Sequence, residues 1–358
     1  MKILFVHLLN NYTGSPKVLG IVLKHFSGLK DYDCSLLTSN TEGFLTGIEN
    51  IKYYYNGYSW SDNKVILSFK LLFAQIKSFF TVLFFKKVDI VYVNTMIPFG
   101  AAIAAKLRRF PIVYHSHEVY TNPNIMHRFC LYVMKKTASK IICVSNFVKE
   151  SLHLDNAETI YNCVPEISNK ENNSDYRQKF LAKNILMPTS LKVYKGVYQF
   201  VELAKLMPDY KFCLVCSAIK EEIDAFFNTD IPKNLNIYPR QDDMTPFYKT
   251  ASVVVNFSLP DKWQETFGMT LTEGMQFACP IIAPDAGGPK EIVDNRQNGF
   301  LVNPYDLNSV KSCIESIFQS EENYKKFSGN ALNKVKYFSH EKFISGIEKI
   351  VQETGESV

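Results

Sequence analysis

Residues 253–304 decide the fold, and they read VVVNFSLPDKWQETFGMTLTEGMQFACPIIAPDAGGPKEIVDNRQNGFLVNP. The apolar, β-branched run at 253–257 predicts a buried parallel strand, and helical spacing of apolar residues follows over 267–277. A second short strand is predicted at 279–283, and a tight Gly-Gly loop then leads into a helix near Pro289, a residue suited to a first helical turn. Strand, helix and strand in this order indicate an α/β fold with a parallel sheet.

The start of the predicted helix combines two carboxylates with unpaired backbone amides. Glu265 precedes this helix and Glu273 lies in its second turn. The N–H groups at Phe267, Gly268 and Met269 lie at the positive end of the helix dipole, so they favour an anion such as a phosphate. Carboxylates accept hydrogen bonds from sugar hydroxyls. The spacing therefore predicts a diphosphate with a hydroxyl-rich ring at each end, as in a nucleotide sugar; for either Glu alone, a solvated helix charge is the alternative.

The segment resembles the donor-binding segment of the retaining glycosyltransferases of family four, also called glycosyl transferases group 1. The shared elements are Glu265 and Glu273, then the run GGPKE at 287–291, then NGFLV at 298–302. The resemblance covers nearly the whole chain, and it is strongest in the second half. It implies an α/β fold of GT-B type, with two doubly wound Rossmann-like domains that face each other across a cleft.

The resemblance also implies a division of the chain. An N-terminal, acceptor-binding domain is expected at 1–165, and a C-terminal, nucleotide-sugar-binding domain at 176–339. A last helix at 340–358 is expected to pack back on the first domain. The polar stretch at 165–175 has no periodicity and is interpreted as the linker between the domains.

Composition limits the functional classes. A chain of 358 residues with 46% hydrophobic and 21% charged residues is typical of a globular protein with two domains. The net charge of +5 is too weak to indicate nucleic acid, but it suits a phosphate-bearing partner or an anionic membrane face. The eight cysteines are scattered, and Cys213 and Cys216 fall on opposite faces of a predicted strand, so neither disulfides nor a metal pair is expected. We therefore expect a protein with no signal peptide and no membrane span. Its expected location is the cytoplasm, which includes the inner face of the cell membrane.

Two candidate site residues lie in the first half. Gly14 lies in the loop after the first predicted strand, where α/β sheets bind ligands. His117, followed by Glu118, lies at the end of a later strand, and His115 shares its face. From the residues alone, His117 is a structural histidine or half of a metal pair. The resemblance implies that Gly14 approaches the donor phosphates and that His117 contacts the transferred sugar.

The second half adds a basic candidate. The family usually shows Gly-Arg-Leu-x-x-x-Lys-Gly after the first strand of this domain, where Arg and Lys hold the donor diphosphate. This chain has Lys195 at the Lys position and Ser190 where Arg is usual, so Lys192 is expected to supply the missing charge, or donor binding is weaker. The resemblance thus implies donor binding by Gly14, Ser190, Lys195, Glu265, Phe267, Gly268, Met269 and Glu273, with His117, Glu265 and Lys195 in catalysis.

The stretch 65–87 is predicted to be helical, and it is rich in Phe and flanked by Lys. It carries more apolar surface than one core-facing stripe needs, so it packs on the sheet, rests on a bilayer, or does both with opposite faces. The motif D-x-D at 31–33 is interpreted as a surface turn rather than a metal site.

The sequence therefore predicts a hexosyltransferase-type enzyme of class EC 2.4 that retains configuration. Its donor is a nucleotide sugar, with UDP favoured, and its acceptor is a carbohydrate or lipid-linked glycan, as in bacterial surface polysaccharide synthesis. No metal or other cofactor and no nucleic acid partner is expected, whereas contact with an anionic membrane is compatible with the sequence. The alternatives are a sugar-nucleotide epimerase or phosphorylase and a non-catalytic nucleotide-sugar-binding protein. An NAD oxidoreductase is disfavoured because the glycine fingerprint is missing.

Overall fold

The structure is a computed structural model, and it describes residues 1–120, 123–164, 175–227 and 230–356. The chain divides into two compact units, which we call unit 1 (Met1–Asn162 with Phe343–Val358) and unit 2 (Cys163–Lys342). Apart from Asp175, the predicted linker at 165–175 lies outside the described residues. The domain limits expected from the resemblance stay a prediction.

Unit 1 holds a parallel sheet. Its strands are β1 (Lys2–Val6), β2 (Asp33–Thr38), β3 (Ile51–Tyr55), β4 (Ile90–Asn94), β5 (Ile112–Ser116), β6 (Lys140–Cys143) and β7 (Glu158–Thr159). Among the described residues they lie in the order β3-β2-β1-β4-β5-β6-β7. The helices are α1 (Gly14–Gly28), α2 (Lys64–Leu83), α3 (Phe99–Leu107), α4 (Ile125–Thr137) and α5 (Asn146–Ser151). The central strands are apolar and fully buried because helices cover the sheet, as parallel sheets require.

Unit 2 repeats this plan. Its strands are β8 (Asn184–Thr189), β9 (Lys211–Cys216), β10 (Leu235–Tyr238), β11 (Val253–Val255), β12 (Ile281–Pro284) and β13 (Gly299–Val302). In the described part of the unit they are parallel, in the order β10-β9-β8-β11-β12-β13. The helices are α6 (Tyr176–Ala182), α7 (Val197–Leu206), α8 (Lys220–Phe226), α9 (Thr245–Thr250), α10 (Met269–Gln276), α11 (Pro289–Ile292), α12 (Leu307–Ile317), α13 (Glu321–Val335) and α14 (His340–Glu356). From Phe343 onward, α14 belongs to unit 1, where Glu353 pairs with Lys140 (3.2 Å).

In both sheets the order in which the strands are added reverses at the first strand. In unit 1, β1 pairs with β2 on one side and with β4 on the other. In unit 2, β8 pairs with β9 and with β11 in the same way. Ligands of doubly wound folds bind outside the carboxyl ends of the strands at such a reversal. The candidate functional residues are therefore expected after β1 and β4 in unit 1, and after β8 and β11 in unit 2.

The fold class predicted from the sequence is confirmed: each unit is a doubly wound α/β domain of the Rossmann type. The boundaries around the deciding stretch differ by a few residues. Helix α10 begins at Met269 rather than at Phe267, because Gly268 has φ +119° and cannot belong to a right-handed helix. Helix α4 was not predicted, although its buried residues Cys130, Val133, Met134 and Thr137 have helical spacing.

Helix α2 packs on unit 1 through one face. Its buried residues include Ala74 and Gln75, and the Gln75 side chain accepts a hydrogen bond from the Gly100 amide (2.9 Å). A Cβ on Gly100 would come within 2.2 Å of the Gln75 carbonyl oxygen, so the two helices touch closely there. By length and composition alone, α2 also meets the criteria for a membrane-crossing helix, and it is the one helix of the described ranges that does so.

Candidate functional site

In unit 2, Lys195 and Glu265 form an ion pair at the reversal point of the sheet. The Lys195 ammonium contacts Oε1 of Glu265, which also accepts hydrogen bonds from Ser258 Oγ (2.7 Å) and Asn256 Nδ2 (3.3 Å). Lys195 also lies over the Trp263 ring, 5.1 Å from its centroid. Contacts from the described residues thus gather on Oε1, and Oε2 remains available to accept hydrogen bonds from a ligand.

The ion pair is largely shielded but reachable. The two side chains are 15% and 17% exposed, so both charges face a boundary between protein and solvent. Burial acts to raise the pKa of Glu265, but Lys195 and the hydrogen bonds from Ser258 and Asn256 outweigh it and hold the pKa below its usual value. Glu265 is therefore an anion at neutral pH, and its main function here is to accept hydrogen bonds.

Glycines bring the loops of this site together. Gly196 has φ +73°, and a Cβ there would lie 2.1 Å from the Phe257 carbonyl oxygen, so the loop carrying Lys195 touches the end of β11. Gly288 donates its amide to the Glu265 carbonyl (2.8 Å), and a Cβ there would lie 2.4 Å from the Thr266 carbonyl oxygen. The Gly-Gly loop thus fixes the backbone that carries Glu265, which explains why these spaced motifs occur together.

The start of α10 lies directly after this backbone. Gly268 is its N-cap residue and has no side chain, so the first amides of the helix, from Met269 on, have no side-chain cap. Phe267 lies outside the helix, contrary to the prediction, and its side chain is buried against Phe338 (ring centroids 5.4 Å apart). Phe267 therefore directly precedes the N-cap residue, and the predicted role of its backbone amide in donor binding stays a prediction.

Glu273 lies on the inner side of α10. Its side chain is buried, and its Oε2 accepts a hydrogen bond from the Tyr248 hydroxyl (2.8 Å). Behind it, the buried Lys179 ammonium donates to the carbonyls of Tyr248 (3.0 Å) and Phe277 (2.6 Å), at the ends of α9 and α10. A cation at a helix C-terminus stabilises it. Tyr248 and Lys179 therefore fix the position of α10.

The two remaining candidates of unit 2, Ser190 and Lys192, differ in position. Ser190 directly follows β8, at the reversal point, and its carbonyl accepts from the Lys192 amide (2.8 Å). Lys192 is exposed and begins the short 3-10 turn that ends at Lys195. Two ammonium groups three residues apart thus flank the loop after β8.

In unit 1, His117 belongs to a buried network at the other reversal point. Asn94, the last residue of β4, donates its Nδ2 to the Ser15 carbonyl (3.2 Å) and to His7 Nδ1 (3.1 Å). Its Oδ1 therefore faces His117 Nε2 (2.8 Å) and must accept from it. The proton of a neutral His117 accordingly lies on Nε2, so its Nδ1 is the atom that accepts a hydrogen bond.

The three histidines of this region are uncharged at neutral pH. Burial lowers the pKa of His7 to about 4 and that of His115 to about 3, and it lowers the pKa of His117 well below its usual value. Burial also raises the pKa of Glu118 to about 7, while its Oε2 accepts from the Met96 amide (3.2 Å). His115 bonds to the Tyr92 hydroxyl (2.8 Å) and packs on His117, with ring centroids 4.3 Å apart.

Gly14 is the first residue of α1, not part of the preceding loop as predicted. It follows Thr13, the N-cap residue, whose side chain makes no capping hydrogen bond. Its amide is therefore among the first of a 15-residue helix that begins at the carboxyl side of β1. The D-x-D motif lies elsewhere: Asp33 begins β2 and faces Lys2 at 3.8 Å. No group of three His, Cys, Asp or Glu residues that suits a metal ion occurs in the described part of the chain.

The residues that orient the candidates were not predicted from the sequence. Asn256 and Ser258 hold Glu265, and Asn94 and His7 hold His117. One signal was available: in the runs IVYVN and VVVN, an Asn lies at the end of a buried strand or directly after it. A polar residue at the carboxyl end of an apolar strand is a candidate for the ligand side of a parallel sheet.

Comparison with known proteins identifies the family. Residues 170–334 match the family model described as glycosyl transferases group 1, and residues 30–166 match that of glycosyltransferase family 4, so the two models together cover more than half of the chain. An uncharacterized glycosyltransferase of Methanocaldococcus jannaschii is 28% identical over 280 residues, which cover 74% of this chain and 76% of that one. The sucrose-phosphate synthase of Spinacia oleracea is 26% identical over 119 residues, which are 33% of this chain and 11% of the plant enzyme.

Solved structures show the same architecture. The crystal structure of HepE from Anabaena in complex with UDP-glucose has a TM-score of 0.79 at 19% identity and full coverage of both chains. The sucrose-phosphate synthase of Thermosynechococcus elongatus has a TM-score of 0.78 at 14% identity, again with full coverage of both chains. At these identities the likeness shows the fold alone. With the two family models, it establishes that this chain is a transferase of class EC 2.4 with the GT-B fold, and that it belongs to the group 1 glycosyltransferases of family 4.

Proposed function

We propose that this glycosyltransferase moves a sugar from a UDP-sugar to a carbohydrate or lipid-linked glycan with retention of configuration. The observation that carries the proposal is the Lys195–Glu265 pair at the sheet reversal of unit 2, directly before the start of α10. At this place a cation and helix amides can bind a diphosphate, and a carboxylate can accept hydrogen bonds from sugar hydroxyls. The HepE structures, which hold UDP and UDP-glucose, support the choice of donor.

The leaving group needs compensation for the charge that develops as the bond between sugar and phosphate breaks. Lys195 supplies a full positive charge, and the amides at Gly268 and Met269 supply the positive end of a helix dipole. Lys192, three residues before Lys195, adds charge at the place where the family usually has Arg and this chain has Ser190. These groups perform the neutralisation that other transferases leave to a metal ion.

The two carboxylates bind the two rings of the donor. Glu265 is fixed through Oε1, so its Oε2 accepts hydrogen bonds from hydroxyls of the transferred sugar. Glu273 accepts from the ribose hydroxyls, in a position fixed by Tyr248. In the first unit, Gly14 contributes an amide of α1 toward the phosphates, and His117 accepts a sugar hydroxyl at Nδ1 while Asn94 occupies its Nε2.

The acceptor class follows from chemistry and from the surface of unit 1. A neutral, buried His–Asn network is better suited to an acceptor that reacts through an uncharged hydroxyl than to a charged acceptor. We propose a lipid-linked glycan of bacterial surface polysaccharide synthesis, used at the cytoplasmic face of the membrane. Exposed apolar and basic groups on α2 support a membrane location.

Calorimetric titration with UDP-glucose, UDP and GDP-mannose tests the donor. Binding of the UDP compounds is expected for the wild-type chain, and Lys195→Met should weaken it about tenfold or more because a charge-assisted contact is lost. Lys205→Met is the matched control, since Lys205 pairs with Glu202 on the exposed side of α7. Equal affinity of Lys195→Met and wild type would remove the assignment. Release of UDP only when an acceptor is added separates transfer from epimerase or phosphorylase activity and from binding alone.

A further inference from the structure

Helix α2 carries an apolar stripe on its outer side. Its members are spaced at i, i+4, i+7, i+8, i+11 and i+15, which places them on one face. They are between 48% and 69% exposed, and they are Val65, Phe69, Leu72, Phe73, Ile76 and Phe80. We call this surface the α2 stripe. Six large side chains on one exposed face form a patch of the kind that marks an interaction site.

The opposite face of the helix is already occupied by protein. Leu67, Leu71 and Ala74 pack with Leu8 and Tyr58 at the carboxyl side of β1 and β3. Gln75 is buried and bonded to Gly100. A helix held in this way cannot cross a bilayer alone, so the α2 stripe can lie in a membrane surface but not span it.

The charges along α2 and directly after it have a single sign. Between residues 63 and 88 the chain has five lysines and no acidic residue. Lys70 donates to Ser59 Oγ (2.9 Å), and Lys86 and Lys87 are exposed at the C-terminal end of the helix. An apolar face bordered by lysines is complementary to anionic headgroups above acyl chains, whereas a second copy of the same face would bring like charges together.

The hydroxyls along the helix do not oppose insertion. Ser68 Oγ donates to the Lys64 carbonyl (2.9 Å), and Thr81 Oγ1 donates to the Lys77 carbonyl (2.8 Å). Both hydroxyl protons are thus used inside the helix, which lowers the cost of moving them toward an apolar phase.

We propose that the α2 stripe docks unit 1 on an anionic lipid bilayer, with the helix in the plane of the headgroups. Because the inner face of α2 covers the loops after β1 and β3, docking holds the carboxyl edge of this sheet next to the membrane. The acceptor is accordingly a lipid-linked molecule presented at the bilayer surface, a step that rests on the proposed function.

Trp60 provides a direct reporter. It is 65% exposed, lies four residues before the start of α2, and bonds to Asp62 through Nε1 (3.3 Å). The chain has two tryptophans, so Trp263→Phe leaves Trp60 as the single emitter. Docking predicts a blue shift of its emission with vesicles of phosphatidylcholine and phosphatidylglycerol, because the indole enters a less polar layer.

Vesicle flotation of the full chain measures the affinity. The double variant Phe69→Ser with Leu72→Ser should reduce binding to anionic vesicles roughly tenfold or more. Its matched control is Leu107→Ser with Leu181→Ser, two residues that are 64% and 67% exposed on other helices. Lys86→Glu with Lys87→Glu should also weaken binding roughly tenfold, and Lys325→Glu with Lys326→Glu on α13 should not.

The proposal is overturned if the wild-type chain does not float with anionic vesicles, or if the stripe variant floats as well as its control. It is also overturned if the stripe variant only turns a dimer into a monomer in light scattering, since the face then binds a second copy. Calorimetric binding of UDP-glucose without lipid is measured on the same samples. Donor binding without flotation rejects the docking surface alone, and flotation without donor binding rejects the proposed function alone.

Discussion

Asn94 and Asn256 occupy the same place in the two sheets but serve opposite kinds of chemistry. Asn94 is the last residue of β4 in unit 1, and Asn256 directly follows β11 in unit 2. Both strands lie next to the first strand of their sheet. Asn94 is fully buried and orients neutral His117, whereas Asn256 is partly exposed and donates to ionised Glu265. One topology thus supports a centre of buried, neutral histidines and a charged centre, and the difference comes from the neighbouring side chains.

This difference fits the roles proposed above for the two centres in a transfer reaction. A diphosphate leaving group needs a positive charge and hydrogen-bond donors that are shielded from water, as in the Lys195 centre. A sugar hydroxyl is best held by a hydrogen-bond acceptor whose tautomer is fixed, as proposed for His117. A substitution that adds or removes charge in one centre should therefore change transfer activity in a different way from the same kind of substitution in the other centre.

The largest effect is expected for Glu265→Gln. The amide keeps the size of the side chain but removes the charge that Lys195, Ser258 and Asn256 surround, so both sugar orientation and the position of Lys195 are lost. We expect kcat/KM for transfer to fall on the order of 10²- to 10³-fold. Steady-state kinetics with UDP-glucose measures it. Glu202→Gln, on the exposed side of α7, is the control, and an equal loss there would contradict a specific role.

The next largest effect is expected for a substitution in the Gly-Gly loop. In Gly288→Ala the new Cβ would meet the Thr266 carbonyl oxygen at 2.4 Å and the Phe267 Cα at 2.6 Å, so backbone must move beneath Glu265. We expect a loss of about 1–3 kcal/mol in the free energy of unfolding and weaker donor binding. Urea denaturation measures the first quantity and calorimetry the second.

Gly329→Ala is the matched control for this change. Gly329 lies inside α13, and a Cβ there has no neighbour within 4 Å. Alanine should therefore raise stability by up to about 1 kcal/mol, because it restricts the unfolded chain and favours the helix. Destabilisation by both substitutions would show that close backbone contact is not what makes Gly288 special.

In unit 1, Asn94→Leu tests the orientation of His117. The variant removes the acceptor at His117 Nε2 and the donor to His7, so the tautomer is no longer fixed. We expect transfer to fall on the order of 10- to 100-fold with little change in donor affinity. Nitrogen-15 NMR of the histidine rings should show His117 protonated at Nε2 in the wild type and a mixture in the variant.

Asn94→Asp sharpens this test. A carboxylate still accepts from His117 Nε2, but its negative charge favours the protonated ring and raises the pKa of His117. The acid limb of the pH–rate profile should therefore move to higher pH, which a purely structural role would not cause. An unchanged tautomer in Asn94→Leu and an unchanged profile in Asn94→Asp would reject the positioning role.

The part of the fold and site that is local in sequence could be predicted. The stretch 253–304 places a strand, Glu265, a helix and the Gly-Gly loop within 52 consecutive residues, and their order alone indicates the α/β fold. The Lys195–Gly196 loop was identifiable for the same reason. What pattern alone did not reveal is that Lys195 pairs with Glu265, since 70 residues separate them and only the sheet order brings β8 beside β11.

The unit 1 centre was harder to predict for a related reason. His117, Asn94 and His7 come from the ends of three strands, and their bonds span 23 and 87 residues. His117 was found through the family resemblance, but nothing near it in sequence indicated its partners. Gly268 shows a second limit: apolar periodicity marked α10, yet its first residue depended on a backbone angle that periodicity does not report.

The last effect concerns pH and the stability of the centre around His117. Because burial lowers the pKa of His7 to about 4 and of His115 to about 3, the folded protein keeps both rings neutral where the unfolded chain binds protons. Their contribution to stability is therefore present above about pH 6.5 and is lost as the pH falls, by about 1.4 kcal/mol per pH unit and proton. Glu118, with its pKa raised to about 7, opposes this trend over the same range, because the folded state takes up its proton first.

His115→Phe isolates one of these protons. The variant keeps a ring of similar size but loses the bond to Tyr92, so it should be less stable than the wild type at pH 7. Since it no longer loses stability through His115 on acidification, the gap in unfolding free energy should narrow by about 1.4 kcal/mol per pH unit between pH 6.5 and 5. Urea denaturation across this range measures it, with His153→Asn at an exposed site as the control. A constant gap would mean that this ring is not kept neutral by burial, and the contrast with the charged Lys195–Glu265 centre would then lose its physical basis.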